Sequence, residues 1–269
     1  MLRDITIGQY YQTKSVIHDL DPRVKIVATL AFIIFLFMVD HLAGYAIAMA
    51  YLATIIYLSH VPMSFIFRGM KAIFMLLMIT VIFNIFLTPG ETLVSFWILN
   101  ITKEGLVMAF RMAIRLIFLI TGSSIMTLTT TPNQLTDGLE NLLNPLKKVK
   151  VPVHEISMMM AIALRFIPIL MEETDKIMKA QMARGADFET GGIIQKAKSL
   201  VPILVPLFIS AFRRANDLAM AMEARCYHGG DGRTKMKPLI YKKRDFIAYA
   251  ALVIFMTAMV ACGKIDFLT

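Results

Sequence analysis

The sequence predicts an all-α integral membrane protein with about five transmembrane helices and long amphipathic helices on the cytoplasmic side. Three observations predict it. Of the 269 residues, 57% are hydrophobic and only 17% charged, and the mean hydropathy of +0.66 lies above that of soluble domains. The apolar residues gather into runs long enough, with their flanks, to cross about 30 Å of hydrocarbon. Between the fourth and the last run lies a basic stretch, residues 129–245, that keeps helical periodicity.

The first 23 residues are polar, with Arg3, Asp4, Lys14, Asp19, Asp21 and Arg23 among them. A cleavable leader would start its apolar run sooner, so none is expected. Val24–Val39 is the first crossing, and the short link Asp40-His41 joins it to a second, Leu42–Leu58, as a helical hairpin. The third, Ile73–Leu87, is closed by the turn signal Thr88-Pro89-Gly90. Leu106–Leu128 is the fourth and Phe246–Cys262 the fifth. The fourth carries Arg111 and Arg115, one helical turn apart, whose face must pack on protein, snorkel to an interface or bind substrate.

Lysine and arginine bias orients the chain. With the N-terminus inside, the outer pieces are Asp40-His41, residues 88–105 and the tail after Cys262, with Lys103 and Lys264 their only lysines and no arginine. The implied organisation is a membrane part at 1–128, cytoplasmic helices at 129–245 and a final crossing with its tail at 246–269.

Residues 129–245 hold 18 Lys and Arg against 12 Asp and Glu, so this stretch supplies most of the formal net charge of +9. Three helices are expected in it: Pro132–Leu146, N-capped by Thr131; Val153–Arg184, interrupted by Pro168 and stopped by Gly185; and Ile193–Arg225, with Pro202 and Pro206 near its start and Gly229-Gly230 after its end. Bending costs least at the three prolines.

One short pattern ends the last two of these helices: Ala183-Arg184-Gly185 and Ala224-Arg225-Cys226. Behind each arginine stand an alanine at one residue, an alanine at four (Ala180, Ala221) and a branched aliphatic at seven (Ile177, Leu218). Those offsets share one helix face, so each segment offers a small-residue stripe ending in a guanidinium. A single helix-end arginine is ordinarily a solvated complement to the helix dipole. The duplication at matched offsets favours docking, for which the planar guanidinium fork suits a carboxylate.

Methionines cluster on the same helices, at Met158, Met159, Met160, Met171, Met178, Met182, Met220 and Met222. They read either as flexible core filler or as an adaptable partner-binding surface. No Gly-x-x-x-x-Gly-Lys-Ser/Thr loop occurs, and the five histidines show no metal-ligand spacing, so no catalytic residue, metal or cofactor is assigned to this chain. Cys226 and Cys262 are read as inert. Basic residues are not interleaved with aromatics in a nucleic-acid module, so the charge points to an anionic membrane surface or an acidic protein.

Leu20-Asp21-Pro22-Arg23-Val24-Lys25 before the first crossing, with the two Ala-Arg-x motifs, resembles the transmembrane T component of energy-coupling factor (ECF) transporters, the EcfT/CbiQ family. The resemblance runs over essentially the whole chain. It implies a non-catalytic scaffold of an ABC-type importer in the cell membrane of a prokaryote. Such a scaffold joins two cytoplasmic ATPases, which carry the ATP and Mg, to a substrate-binding S component for vitamins or transition-metal ions. It further implies that Arg184 and Arg225 enter grooves on the two ATPases and that the apolar surface of the coupling helices holds the S component. Cys226 stands where the first motif has Gly185, so a differently shaped helix end is expected there. The alternatives are a self-sufficient secondary transporter or channel, using Arg111 and Arg115, and a membrane enzyme acting on a lipid-linked substrate.

Overall fold

The computed structural model describes residues 10–39, 41–96, 99–186, 188, 192–229 and 236–265. Asp40, Gly230 and the extreme termini, named above, lie outside them. Eight α-helices occur among the described residues: α1 (Pro22–Phe37), α2 (Leu42–Ser59), α3 (Met63–Leu87), α4 (Lys103–Thr129), α5 (Pro132–Leu143), α6 (Val153–Ala183), α7 (Ile193–Glu223) and α8 (Lys243–Ile265). The all-α reading therefore stands, with one small addition. Strands β1 (Thr92–Phe96) and β2 (Leu99–Thr102) pair antiparallel in the loop before α4. Thr102 ends that hairpin and caps α4, its Oγ1 accepting from the Gly105 amide at 3.0 Å.

The chain divides into two compact units, one of residues 8–141 with 239–269, the other holding residues 142–238. In the first, α1, α2, α4 and α8 share an apolar core of Phe32, Leu36, Tyr45, Ala48, Leu52, Ile125, Leu252, Phe255 and Met259. The Tyr51 and Phe255 rings stack at 4.3 Å. Helix α5 packs against the start of α1 through Gly138, where a Cβ would stand 3.0 Å from both Pro22 and Ile26. Outward-facing Phe67, Phe74, Met75 and Phe83 of α3 are exposed, as lipid contact requires.

Helices α2, α4, α6 and α8 are long and apolar enough to cross a membrane, and α3, bent by 61° between Lys71 and Ile73, makes a fifth if its two parts form one span. That bend falls where the expected third crossing begins; the structure extends the same helix back to Met63. Helix α1 has only 16 residues, about 24 Å, short of the roughly 30 Å hydrocarbon core. By length and composition α6 qualifies in its place, although the sequence assigns it to the cytoplasmic set.

Two expectations on helix ends and breaks are corrected. Helix α5 stops at Leu143 instead of Leu146, because Pro145 opens a short 3-10 turn over Asn144–Val149. Its start is as expected: Thr131 and Gln134 exchange side-chain bonds to each other's amides at 3.3 and 3.1 Å, a capping box. Pro168 does not interrupt α6, and α7 runs as one helix through Pro202 and Pro206, as expected. Each proline removes one amide donor, and the helix bridges the gap. Pro206 leaves the Pro202 carbonyl without its ladder partner, and Gln181 Nε2 of α6 donates to that carbonyl at 3.3 Å.

The Leu20–Lys25 segment is a knot of the first unit. Asp21 caps α1, accepting from the Arg23 amide at 2.9 Å, and takes the Arg23 guanidinium on both oxygens at 3.0 and 2.8 Å. Arg23 also donates to the Leu239 carbonyl at 3.2 Å and lies 3.8 Å over the Tyr241 ring. The Asp21 amide donates to buried Asp245 at 2.8 Å, and Lys25 donates to the carbonyls of His18 and Thr129 at 3.1 and 2.8 Å. Three of these bonds, Asp21 to Asp245, Arg23 to Leu239 and Lys25 to Thr129, tie the start of α1 to the start of α8 and the end of α4. Burial pushes the Asp21 carboxyl up, but the Arg23 bonds and charge outweigh it and hold the group below its ordinary range.

Candidate functional site

Helices α6 and α7 pack on each other in the second unit. Glu173 of α6 accepts from Ser210 Oγ at 2.6 Å and pairs with Arg214, both of α7. Farther along α6, Gln181 meets Pro202, while Ile162, Phe166 and Leu170 share a cavity of about 270 Å³ with Leu218 and Met222. Residue numbers rise on one helix as they fall on the other, so the two run antiparallel. Their C-terminal ends therefore lie at opposite ends of the pair, roughly 30–40 Å apart at 1.5 Å per residue.

Each of those ends carries an Ala-Arg-x motif, and both are built alike. At the end of α6, Gly185 has φ +87°, its amide donating to the Met182 carbonyl and the next amide, Ala186, to the Gln181 carbonyl, both at 3.0 Å. At the end of α7, Cys226 has φ +57°, its amide donating to Glu223 at 2.8 Å and the Tyr227 amide to Met222 at 3.0 Å. These are the two bonds of a Schellman motif. The expected difference in shape at Cys226 is overturned: the α7 end closes the same way, with a side chain in the left-handed region that glycine occupies in α6. His228 Nδ1 adds a 2.9 Å bond to the Cys226 carbonyl. That bond has no counterpart assigned by sequence reasoning, since a histidine two residues past a helix end carries no periodic signal.

Ala183, Arg184, Gly185, Ala224, Arg225 and Cys226 are all exposed, and so are Ala180 and Ala221 beneath them. In each motif the arginine immediately precedes the residue that turns the chain away from the helix axis. A guanidinium so placed can reach beyond the helix toward a carboxylate or a carbonyl.

The eight methionines divide. Met159, Met182 and Met220 are 58%, 50% and 60% exposed, while Met158, Met160, Met171, Met178 and Met222 are half-buried. Met222 lines the cavity between α6 and α7, a filler position. Arg115 in α4 donates to the Val39 carbonyl at 2.6 Å, which satisfies a backbone acceptor after the end of α1. Arg111 is exposed beside an apolar cavity of about 660 Å³ between α2, α3 and α4. No cluster of three metal-ligating side chains occurs among the described residues.

Comparison with known proteins adds the family. Residues 13–236 match the family described as CbiQ, cobalt transport protein. The chain is 59% identical to the energy-coupling factor transporter transmembrane protein EcfT of Clostridium kluyveri, over 92% of this chain and 93% of that protein. It is 52% identical to the protein of that name from Thermosediminibacter oceani, over 98% of each. With that from Bacillus subtilis the identity is 44%, over 96% of this chain and 100% of the relative. An apolar helical bundle, two arginine-bearing helix ends of one design and likeness along nearly the whole length lead to one conclusion: the chain is a multi-pass membrane protein and belongs to the CbiQ/EcfT family of energy-coupling factor transporter transmembrane proteins.

Proposed function

We propose that this chain is the non-catalytic coupling subunit of an ECF-type importer. It links ATP hydrolysis on two cytoplasmic ATPase subunits to uptake through a separate S component that binds a vitamin or a transition-metal ion. ATP and Mg belong to the ATPases. Helices α6 and α7 lie on the cytoplasmic side of the cell membrane, as does the N-terminus. Arg184 docks one ATPase and Arg225 the other, while the exposed methionines and apolar face of these helices meet the S component.

The observation that carries this reading is the pair of matched helix ends. Two identical caps, each presenting an exposed arginine at opposite ends of an antiparallel pair, suit a partner present in two similar copies. A transporter acting alone has no use for that duplication, and Arg115, one of its two substrate-site candidates, already serves the Val39 carbonyl. The test is purification of the tagged chain in mild detergent from its own cell, followed by uptake measurements in liposomes. Two ATPases and a small membrane protein should co-purify, with uptake only by the assembled complex. Uptake by the chain alone sinks the proposal.

A further inference from the structure

We propose that a groove between α1, α2 and α8 binds one acyl chain of an anionic phospholipid, with the lipid phosphate held at the Arg244 end. The groove lies within the first unit and has a volume of about 440 Å³. On α8 its lining runs from Arg244 to Ala258, about 21 Å of helix, more than the roughly 15 Å of hydrocarbon in one leaflet. Small side chains, Ala50 and Thr54 on α2 and Ala248 and Ala251 on α8, leave the space open. The stacked rings of Tyr51 and Phe255 belong to the lining and are part of the packed bundle. An acyl chain is narrow and flexible enough to follow a groove of this length.

Charge distinguishes the two ends. The remote end is apolar, at Ala258, whereas Arg244 and Lys25 line the other. Arg244 pairs with exposed Asp19 through Nη1 at 2.9 Å, but its Nε is buried without a hydrogen-bond partner. Lys25 is 6% exposed and donates to two backbone carbonyls, and the charges of Asp19, Asp21 and Asp245 act on it. Lys242 and Lys243 precede Arg244 and are exposed. Of the carboxylates at this end, Asp21 is engaged by Arg23 and Asp245 by backbone amides, which leaves Asp19 as the one facing Arg244. Arg244 and Lys25 are the charged side chains of the lining, with Asp19 paired to Arg244, so this end is net positive and an anionic headgroup complements it.

The inference needs only a bundle seated in a bilayer and stands apart from the ATPase-docking proposal. Its test is native mass spectrometry of the purified full chain incubated with phosphatidylglycerol or phosphatidylcholine of the same acyl composition. One phosphatidylglycerol should be retained at least about fivefold over phosphatidylcholine, the factor expected for one basic side chain at a membrane surface. Arg244→Gln should bring the two lipids near parity. Ala251→Phe should expel both, while Ala250→Phe, at an exposed position outside the lining, should retain lipid as the parent does. Equal retention of the two lipids by the parent, or an unchanged preference in Arg244→Gln, overturns the proposal whether or not Ala251→Phe folds. An Ala251→Phe chain that keeps its lipid but loses a co-purifying membrane protein assigns the groove to that partner and overturns it too.

Discussion

Cys226 occupies a backbone region that costs an ordinary L-residue about 1–2 kcal/mol, and it does so at the residue that aims Arg225. Glycine removes that strain but gains freedom in the unfolded chain, so Cys226→Gly should change stability by less than about 1 kcal/mol and leave docking intact. A β-branched residue suits the conformation least. Cys226→Val should lower the thermal midpoint and weaken ATPase co-purification as Arg225 is displaced; parental behaviour in both measurements would detach the turn from docking. The arginines themselves should matter more. Losing one partner of a desolvated interfacial ion pair costs about 2–5 kcal/mol, roughly 30- to several-thousand-fold in affinity. Arg184→Ala and Arg225→Ala should each reduce ATPase retention and uptake, the double substitution should abolish both, and lysine should restore only part, since it keeps charge without the fork. A double variant that still transports like the parent reduces the arginines to solvated helix ends.

Polar links join α6 to α7 among the described residues, and one of them compensates for a proline. The Gln181 bond to Pro202 answers the amide missing from Pro206, and Glu173 receives Ser210 and Arg214 from the other helix. Because the side chains of Arg214 and Glu173 are 39% and 23% exposed, the ion pair contributes no more than about 1 kcal/mol after screening. Glu173→Ala should accordingly leave global stability within about 1 kcal/mol while raising amide hydrogen exchange in the middle of α6 and α7 and not in α1 or α8. Exchange unchanged in α6 and α7 would mean that apolar packing alone sets their pairing. The adaptable methionines along this pair suit ends that shift during an ATPase cycle.

For the whole molecule, sidedness separates two threadings of the same helices. If α6 stays on the cytoplasmic side, Cys226 faces the cytoplasm and Cys262 lies toward the opposite face. If α6 crosses in addition to the five expected segments, as its length and composition permit, Cys226 moves outside. The chain has two cysteines, so replacing either one leaves a single native reporter at the other end. A membrane-impermeant maleimide should spare exposed Cys226 in intact cells and modify it in inverted vesicles. Modification of Cys226 from outside would overturn the cytoplasmic placement of the docking ends. Ser59, which the same bias places inside, is fully buried at the end of α2 and unsuited to such labelling.

Composition and apolar run lengths were enough to establish a helical membrane protein, because hydrocarbon leaves a long apolar segment few choices beyond a helix. Capping chemistry was equally local: Thr131 with Gln134, and Gly185 after Arg184, could be read from neighbours in the chain. So could the doubled Ala-Arg-x motif, since its offsets obey helical period. Less was legible where a residue's partner is distant in sequence. That Asp21, Arg23 and Lys25 grip Asp245, Leu239 and Thr129 could not be seen, as those contacts join residues more than a hundred positions apart. The β-hairpin was missed because two short strands carry a weak pattern beside long apolar helices. Cys226 was misjudged because propensity disfavours a left-handed cysteine by only about 1–2 kcal/mol, which two closing amide bonds and the surrounding chain can override. The expected break at Pro168 is absent for a related reason: a missing amide donor is a local fact, whereas what offsets it comes from packing, as at Pro206, whose freed carbonyl is served by Gln181 only once α6 and α7 have packed.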